Sequence, residues 1–281
     1  MGKLLISMLL GLAVFGAGAC RGQNTAMAST EEPTPVAQAK EENIREGVSA
    51  KVLAVLDGLE KLGETIKNLQ GKLRLVKLET LVNDLTTKEG FIYYQRDKDE
   101  IRFRITFEQT IYDRRRFEEP EHFVFAEGWL IHRQERIKRE DHYPVTRPGQ
   151  PSSDLMRIGK SPLPIPIGQE TEEVLKNFEV QLIEPDKETD PAEIETVHLK
   201  LMPKEGTELA VSRTRLEFWL RAKDYLVVRS QWENESGDIF TADISDLKIN
   251  KGIKDRDFRL PKVPRGYEVK KHPPPEEWEE N

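Results

Sequence analysis

A single cysteine, Cys20, stands among 281 residues. One thiol cannot close an internal disulfide, and it cannot build a zinc site without histidines placed to help. The five histidines, His122, His132, His142, His198 and His272, are scattered, and no local pair has ligand spacing. The first three recur every ten residues, a spacing that successive strands could bring together. There is no Gly-x-Ser-x-Gly elbow, no phosphate-cradling glycine loop and no His-Glu-x-x-His. "DKDEIRFRITFE" opens like a calcium loop, but Arg102 stands where the sharp turn needs glycine and Ile101 where an oxygen ligand belongs. Paired acids such as Glu118 and Glu119 lie beside Arg114, Arg115 and Arg116, the composition of a solvated hairpin. Catalysis, a bound metal and a cofactor therefore have no sequence basis. Positive charge is also short: the net charge is −7, which argues against nucleic acid as the main partner.

Long apolar runs are missing as well. The longest uncharged stretch, Leu4 to Ala19, is shorter than the roughly 20 residues that span a bilayer comfortably. With Lys3 before it and small residues at its end, it has the pattern of a secretory signal. "AGAC" resembles the bacterial lipobox in Gly18, Ala19 and Cys20, less so at Ala17 where leucine is usual. That resemblance implies cleavage before Cys20 and acylation of its sulfur and amino group, a multiply acylated anchor that holds a membrane stably. Arg21 in place of aspartate favours the outer membrane. The expectation is a protein of the bacterial cell envelope, facing the periplasm and lipid-anchored. Residues 1–19 are then the signal peptide, and the remainder carries −8 (42 − 50).

Residues 20–45 are small, polar and proline-containing without apolar period, and read as a flexible tether. In "VSAKVLAVLDGLEKLGETIKNLQG", Val52, Val55, Leu56, Leu59, Leu62, Ile66 and Leu69 recur at spacings of three and four. An amphipathic helix ending near Gly71 is predicted. Nearly everything afterwards alternates with period two. "IRFRITF" puts Ile101, Phe103, Ile105 and Phe107 on one face; "FEVQL" and "VHLKL" behave alike. Turn signals near Gly90, Gly128, Gly206 and Gly237 separate about ten antiparallel strands with one apolar face to cover. Residues 141–173 are rich in proline and glycine, unsuited to central strands, yet apolar enough to pack on something. "KKHPPPEEWEEN" reads as an acidic, disordered tail, placed at 269–281.

The last third carries a resemblance. A "LKLMP" strand, "LEFWLRAKDYLVVRSQW" with a turn at Lys223–Asp224, a hairpin at Gly237, "ISDLKINKGIKDRDF" and the exit at Pro264, Gly266 and Tyr267 are similar to the LolA/LolB-like family of lipoprotein carriers. The similarity extends loosely over residues 46–268. It implies a mainly β fold with helical elements: an incomplete antiparallel β-barrel, or half-barrel, covered by the N-terminal helix and a lid-like loop. It also implies acyl lipid or lipoprotein cargo in an apolar hollow, within outer-membrane lipoprotein sorting. The candidate lining is Phe103, Ile105, Phe107, Phe123, Phe125, Trp129, Phe218, Leu220 and Trp232 from the sheet, with Leu56, Leu59 and Leu62 from the helix. The alternative is a lipid-sensing or protein-interaction module in envelope signalling, its partner surface the basic "YDRRRF" or "RQERIKRE" hairpins.

Overall fold

The computed structural model describes residues 44–98, 100–147, 150, 152, 158, 166–186, 190–191, 194–211, 213–275 and 278. The signal segment, Cys20 and most of the tether lie outside the described residues, as do most of 148–165.

Helix α1 (Ala50–Thr65) starts where the Ser49 hydroxyl accepts from the Val52 N–H at 3.3 Å, satisfying one of the orphan donors of the first turn. It ends earlier than its apolar spacing suggests. Ile66 is extended, and Leu69 and Gly71 belong to the first strand. The apolar stripe continues through Leu69 because that residue faces the same core from the sheet.

Thirteen strands follow: β1 (Asn68–Glu79), β2 (Asp84–Asp97), β3 (Glu100–Tyr112), β4 (Arg115–Phe117), β5 (Glu121–Ala126), β6 (Trp129–Gln134), β7 (Arg139–Pro144), β8 (Phe178–Ile183), β9 (Thr196–Pro203), β10 (Arg213–Arg221), β11 (Val227–Asn234), β12 (Ile239–Ile249) and β13 (Glu268–Lys271). They form one sheet in the order β13-β7-β6-β5-β3-β2-β1-β12-β11-β10-β9-β8, with β4 paired on β3. The two ends of this path do not pair with each other, so the sheet is open. It is also mixed: β13 runs parallel to β7, from Glu268 beside Arg139 to Lys271 beside His142. Residues 269–271, expected to belong to the tail, are instead ladder-bonded in β13.

A second helix, α2 (Thr171–Asn177), was not legible as a period. It closes the proline-rich connection, whose Ile158 and Ile167 are buried in the main core together with Val174 and Leu175. Thr171 locks this segment to α1: its hydroxyl reaches Asp57 at 3.0 Å and Glu60 at 2.9 Å, and its N–H reaches Glu60 at 3.1 Å. Arg45 ties the same two parts by bridging Asp57 and Glu172.

Two glycines are demanded by close approach. The sequence predicts a turn near Gly90, but the residue lies inside β2 at a bulge, where a Cβ would sit 1.8 Å from the Thr106 carbonyl oxygen. The hairpin turn lies at Thr80–Asn83 instead. On Gly63, a Cβ would fall 1.9 Å from the Gly168 Cα, so the last turns of α1 and the 166–177 segment touch backbone to backbone. Alanine normally favours a helix interior by about 1 kcal/mol over glycine. At Gly63 the sign should reverse, with a net loss of about 1–3 kcal/mol from forcing the two backbones apart. Urea unfolding of Gly63→Ala measures it; a gain in midpoint would mean that the segment yields freely.

Candidate functional site

Ladder registers sort the strand residues into two faces. Phe125, Phe103, Tyr94 and Leu69 form one row across β5, β3, β2 and β1. Leu73, Ile244 and, one step along, Leu75, Ala242, Ser230, Phe218 and Leu199 carry the same face to β9. This inner face meets α1, the 166–177 segment and Ile158 in one contiguous apolar core. Phe103 stacks on Phe125 at 5.5 Å, Phe107 meets Phe123 edge-on at 6.4 Å, and Trp232 stacks on Phe240 at 5.2 Å.

Of the anticipated lining residues, Phe103, Ile105, Phe107, Phe123, Phe125, Phe218, Leu220 and Trp232 are buried on this face, and Leu56 and Leu59 are buried opposite them. Leu62 is half-buried against the same core. Trp129 is not among them. It pairs with Ala126, out of phase with Phe125 and Phe123, and is 38% exposed at the β5–β6 turn. Residue type suits Trp129 to the lining, but strand parity turns it to the other face.

One polar side chain interrupts the centre of the inner face. Tyr94 is fully buried, and its hydroxyl has no hydrogen-bond partner among the described residues. Burial pushes its phenol up to about 12, although the nearby Arg96 cation opposes the rise. A buried unsatisfied hydroxyl costs about 1–3 kcal/mol in desolvation. Tyr94→Phe is therefore expected to raise unfolding stability by about 1 kcal/mol, read as a higher urea midpoint. A drop of similar size would show that the hydroxyl is satisfied in solution.

Toward one end of β2, β5, β6 and β7 the inner face turns polar. Lys88 pairs with Glu121, whose other oxygen accepts from His132 Nε2 at 2.7 Å. His132 stacks on Phe123 at 4.3 Å and stands across from Asp141 in the ladder. Asp141 accepts from Arg139 at 2.6 and 2.9 Å and from His272 Nε2 at 2.8 Å. His272 follows β13 and stacks on Tyr143 at 4.2 Å. Sequence reasoning missed this row. Its available signal was parity, since Glu121 shares a phase with Phe123 and Phe125.

The outer face of the same wing is bridged by the chain after β12. Residues 250–267 cross it: Arg102 pairs with Asp255 and lies 4.5 Å from the Phe258 ring, Arg104 donates to the carbonyls of Asp257 and Arg259, and Arg133 donates to that of Pro261 at 2.9 Å. Beneath this strap Arg133 pairs with Glu140, which also bonds His142 Nε2 at 2.7 Å. On the other wing His198 stacks on Trp219 at 4.1 Å and bonds Glu217 at 2.7 Å. The ten-residue histidine spacing does not assemble a ligand set, because His132 lies on the inner face while His122 and His142 lie on the outer. Among the described residues no group of three or more His, Cys, Asp or Glu is placed to hold a metal ion. No described helix is long and apolar enough to cross a membrane.

No family model and no curated protein matches the chain. Solved structures do. MucB matches at 14% identity and a TM-score of 0.45, covering 77% of this chain and 65% of that one. A domain described as an outer membrane lipoprotein-sorting protein from Vibrio parahaemolyticus matches at 11% identity and TM-score 0.35, covering 74% and 97%. A LolA superfamily protein from Nitrosomonas europaea matches at 10% identity and TM-score 0.26, covering 74% and 97%. This chain spans just under two thirds of the MucB chain. At these identities and scores the likeness concerns the arrangement of sheet and helix, and carries nothing about ligand or role.

Proposed function

We propose that this chain is a lipid-anchored protein of the bacterial envelope. Its inner face would take up the acyl chains of a lipid or lipoprotein in outer-membrane lipoprotein sorting. In this reading residues 1–19 are removed, Cys20 carries the anchor, residues 20–45 are the tether, and residues 46–268 are the binding domain. The sheet acts as a half-barrel, with α1 and the 166–177 segment as its lid. The observation that carries it is the largely apolar inner face, running from β5 to β9 with Tyr94 and Ser230 as its polar interruptions, under α1 and the 166–177 segment. Acyl chains outside a membrane need such a water-excluding surface, at about 25 cal/mol per Å² of apolar area. The residues proposed to touch them are the ten buried lining positions with Leu62; the process demands no catalytic group.

Native mass spectrometry tests it on two preparations: the chain extracted from membranes in detergent, and a Cys20→Ala chain made without residues 1–19. The expected result is acyl lipid on the anchorless protein, lost in Leu62→Asp, a substitution at a half-buried position where folding can be checked independently. A folded anchorless protein without lipid, able neither to co-purify nor to take up a fluorescent fatty acid, overturns it.

A specific observation favours a second reading, an interaction module. The β1–β2 and β3–β4 tips are side by side in the sheet, and there Leu81, Val82, Leu85, Tyr112 and Phe117 are exposed next to Arg114, Arg115 and Arg116. Grouped exposed apolar side chains of this kind mark contact surfaces. Charge reversal at the three arginines that abolishes function yet spares lipid binding would favour this reading.

A further inference from the structure

The strap over the outer face has a charge unlike the rest of the protein. Residues 250–267 hold six basic side chains and two acidic ones, a net of +4 (6 − 2), whereas the remainder of the chain carries −11 (−7 − 4). The structure also sorts the two signs. Asp255 is taken by Arg102 from the sheet beneath, and Asp257 accepts the Lys254 N–H while its carbonyl accepts from Arg104. Phe258 is buried against the sheet. The Asp255 carboxylate, the Asp257 carbonyl and the aromatic thus fasten the strap downward, while the Asp257 carboxylate closes the strap's own turn. Lys251, Lys254, Arg256, Arg259, Lys262 and Arg265 are all exposed, and among the described residues none of them makes an ion pair within 4.0 Å. Elsewhere many basic side chains are paired, and Arg114, Arg115 and Arg116, exposed without an ion pair among the described residues, stand at a strand tip, not in a band across the face. Lys72 pairs with Asp246, Lys77 with Glu79, Arg139 with Asp141 and Arg229 with Asp243.

We propose that this strap is a docking surface for an anionic bilayer leaflet, and that it orients the domain with its outer face toward the membrane. From β12 the strap passes β1, β2, β3, β5 and β6 to β7, six inter-strand spacings or about 29 Å. Cations spread over that distance match a field of phosphates, not a single bound anion. Membrane proximity comes from the proposed anchor. Cys20 precedes Ile44 by 24 residues, at most about 80 Å of extended chain. Such a tether brings every face of the domain within reach of the bilayer and selects none. Selection then falls to charge, because an anionic leaflet repels the net-negative remainder and attracts juxtamembrane lysines and arginines within a Debye length. With the strap on the leaflet, α1 and the 166–177 segment face away from it.

The strap lies on the opposite side of the sheet from the acyl-binding face and rests on that reading only for the Cys20 anchor. Vesicle binding reads no ligand uptake, so either can fail alone. The full chain carrying Cys20→Ser is sedimented with vesicles of phosphatidylglycerol and phosphatidylcholine, and with phosphatidylcholine alone, at low and high salt. A strap variant (Lys254→Gln, Arg256→Gln, Arg259→Gln, Lys262→Gln) is compared with an equal charge change elsewhere (Lys51→Gln, Lys61→Gln, Lys67→Gln, Lys223→Gln); all eight positions are exposed. The expected result is a phosphatidylglycerol-dependent, salt-sensitive binding that weakens about tenfold or more in the strap variant and less than about twofold in the control. Equal losses in both variants, or binding unaffected by either, overturn the proposal. So does a strap that binds polyglutamate but not the anionic vesicles, which would assign it to an acidic protein partner.

Discussion

Replacing Glu140 with alanine is expected to lower folding stability by about 3–5 kcal/mol, among the largest effects of any single substitution in this protein. The side chains of Arg133 and Glu140 are each only 4% exposed, sandwiched between the sheet and the strap. Alanine would leave a guanidinium out of water with the Pro261 carbonyl and, at 4.0 Å, the partly exposed Glu135 carboxylate. His142 would lose its carboxylate partner at the same time. The loss measures an abandoned charge, not the worth of the pair. Accordingly Arg133→Met combined with Glu140→Leu should cost much less than Glu140→Ala alone, since both charges leave the interior together. Urea unfolding of the three proteins decides the matter. A Glu140→Ala loss under about 1 kcal/mol would mean that water reaches Arg133 beneath the strap.

The second large effect is acid sensitivity centred on Glu121. Burial pushes its carboxyl upward, but the hydrogen bond from His132 and the neighbouring Lys88 cation outweigh this and hold it at about 2, against an ordinary 4.5. A value depressed in the folded state means that the stabilisation is complete above pH 4.5 and is lost as the pH falls toward 2. The amount is about 3 kcal/mol. Asp141 is depressed too: burial raises it, but the hydrogen bonds from Arg139 and His272 prevail, so its contribution has the same sign. Unfolding free energy should therefore drop steeply between pH 4.5 and 2. In Glu121→Gln the protein should be less stable at pH 7, and its pH dependence should flatten over that window. A variant that tracks the parent in parallel from pH 7 to pH 2 would assign the acid sensitivity to other carboxylates.

Much of this fold could be read from local pattern, and the errors are instructive. Phe103, Ile105 and Phe107 share a face because a strand has period two. The same rule excludes Trp129 from that face and admits Glu121 to it, whatever their residue types. The apolar spacing predicts a helix six residues longer than α1, because Ile66 and Leu69 continue a period that two different elements satisfy. Glycine usually marks a turn, so the sequence predicts one near Gly90, while the tip holds Leu81 and Val82, residues that nothing local identifies as a turn. Gly63 and Gly168 illustrate the limit from the other side. Each is an unremarkable helix or loop glycine until the chain places them in contact.

The sequence by itself determined the alternation of the strands, the single long amphipathic helix, the charge balance and the lone cysteine with the apolar run before it. These depend on neighbours a few residues apart, whose side-chain direction is set by backbone geometry. Only the tertiary structure decided that β1 lies between β2 and β12, that the sheet stays open, and that residues 250–267 cross the outer face to add β13 parallel to β7. It alone assembled Arg133 with Glu140 under Pro261, and Asp141 with His272, partners up to 131 residues apart. Such pairings follow from the path of the connections and the competition for one buried face, and no local period records either.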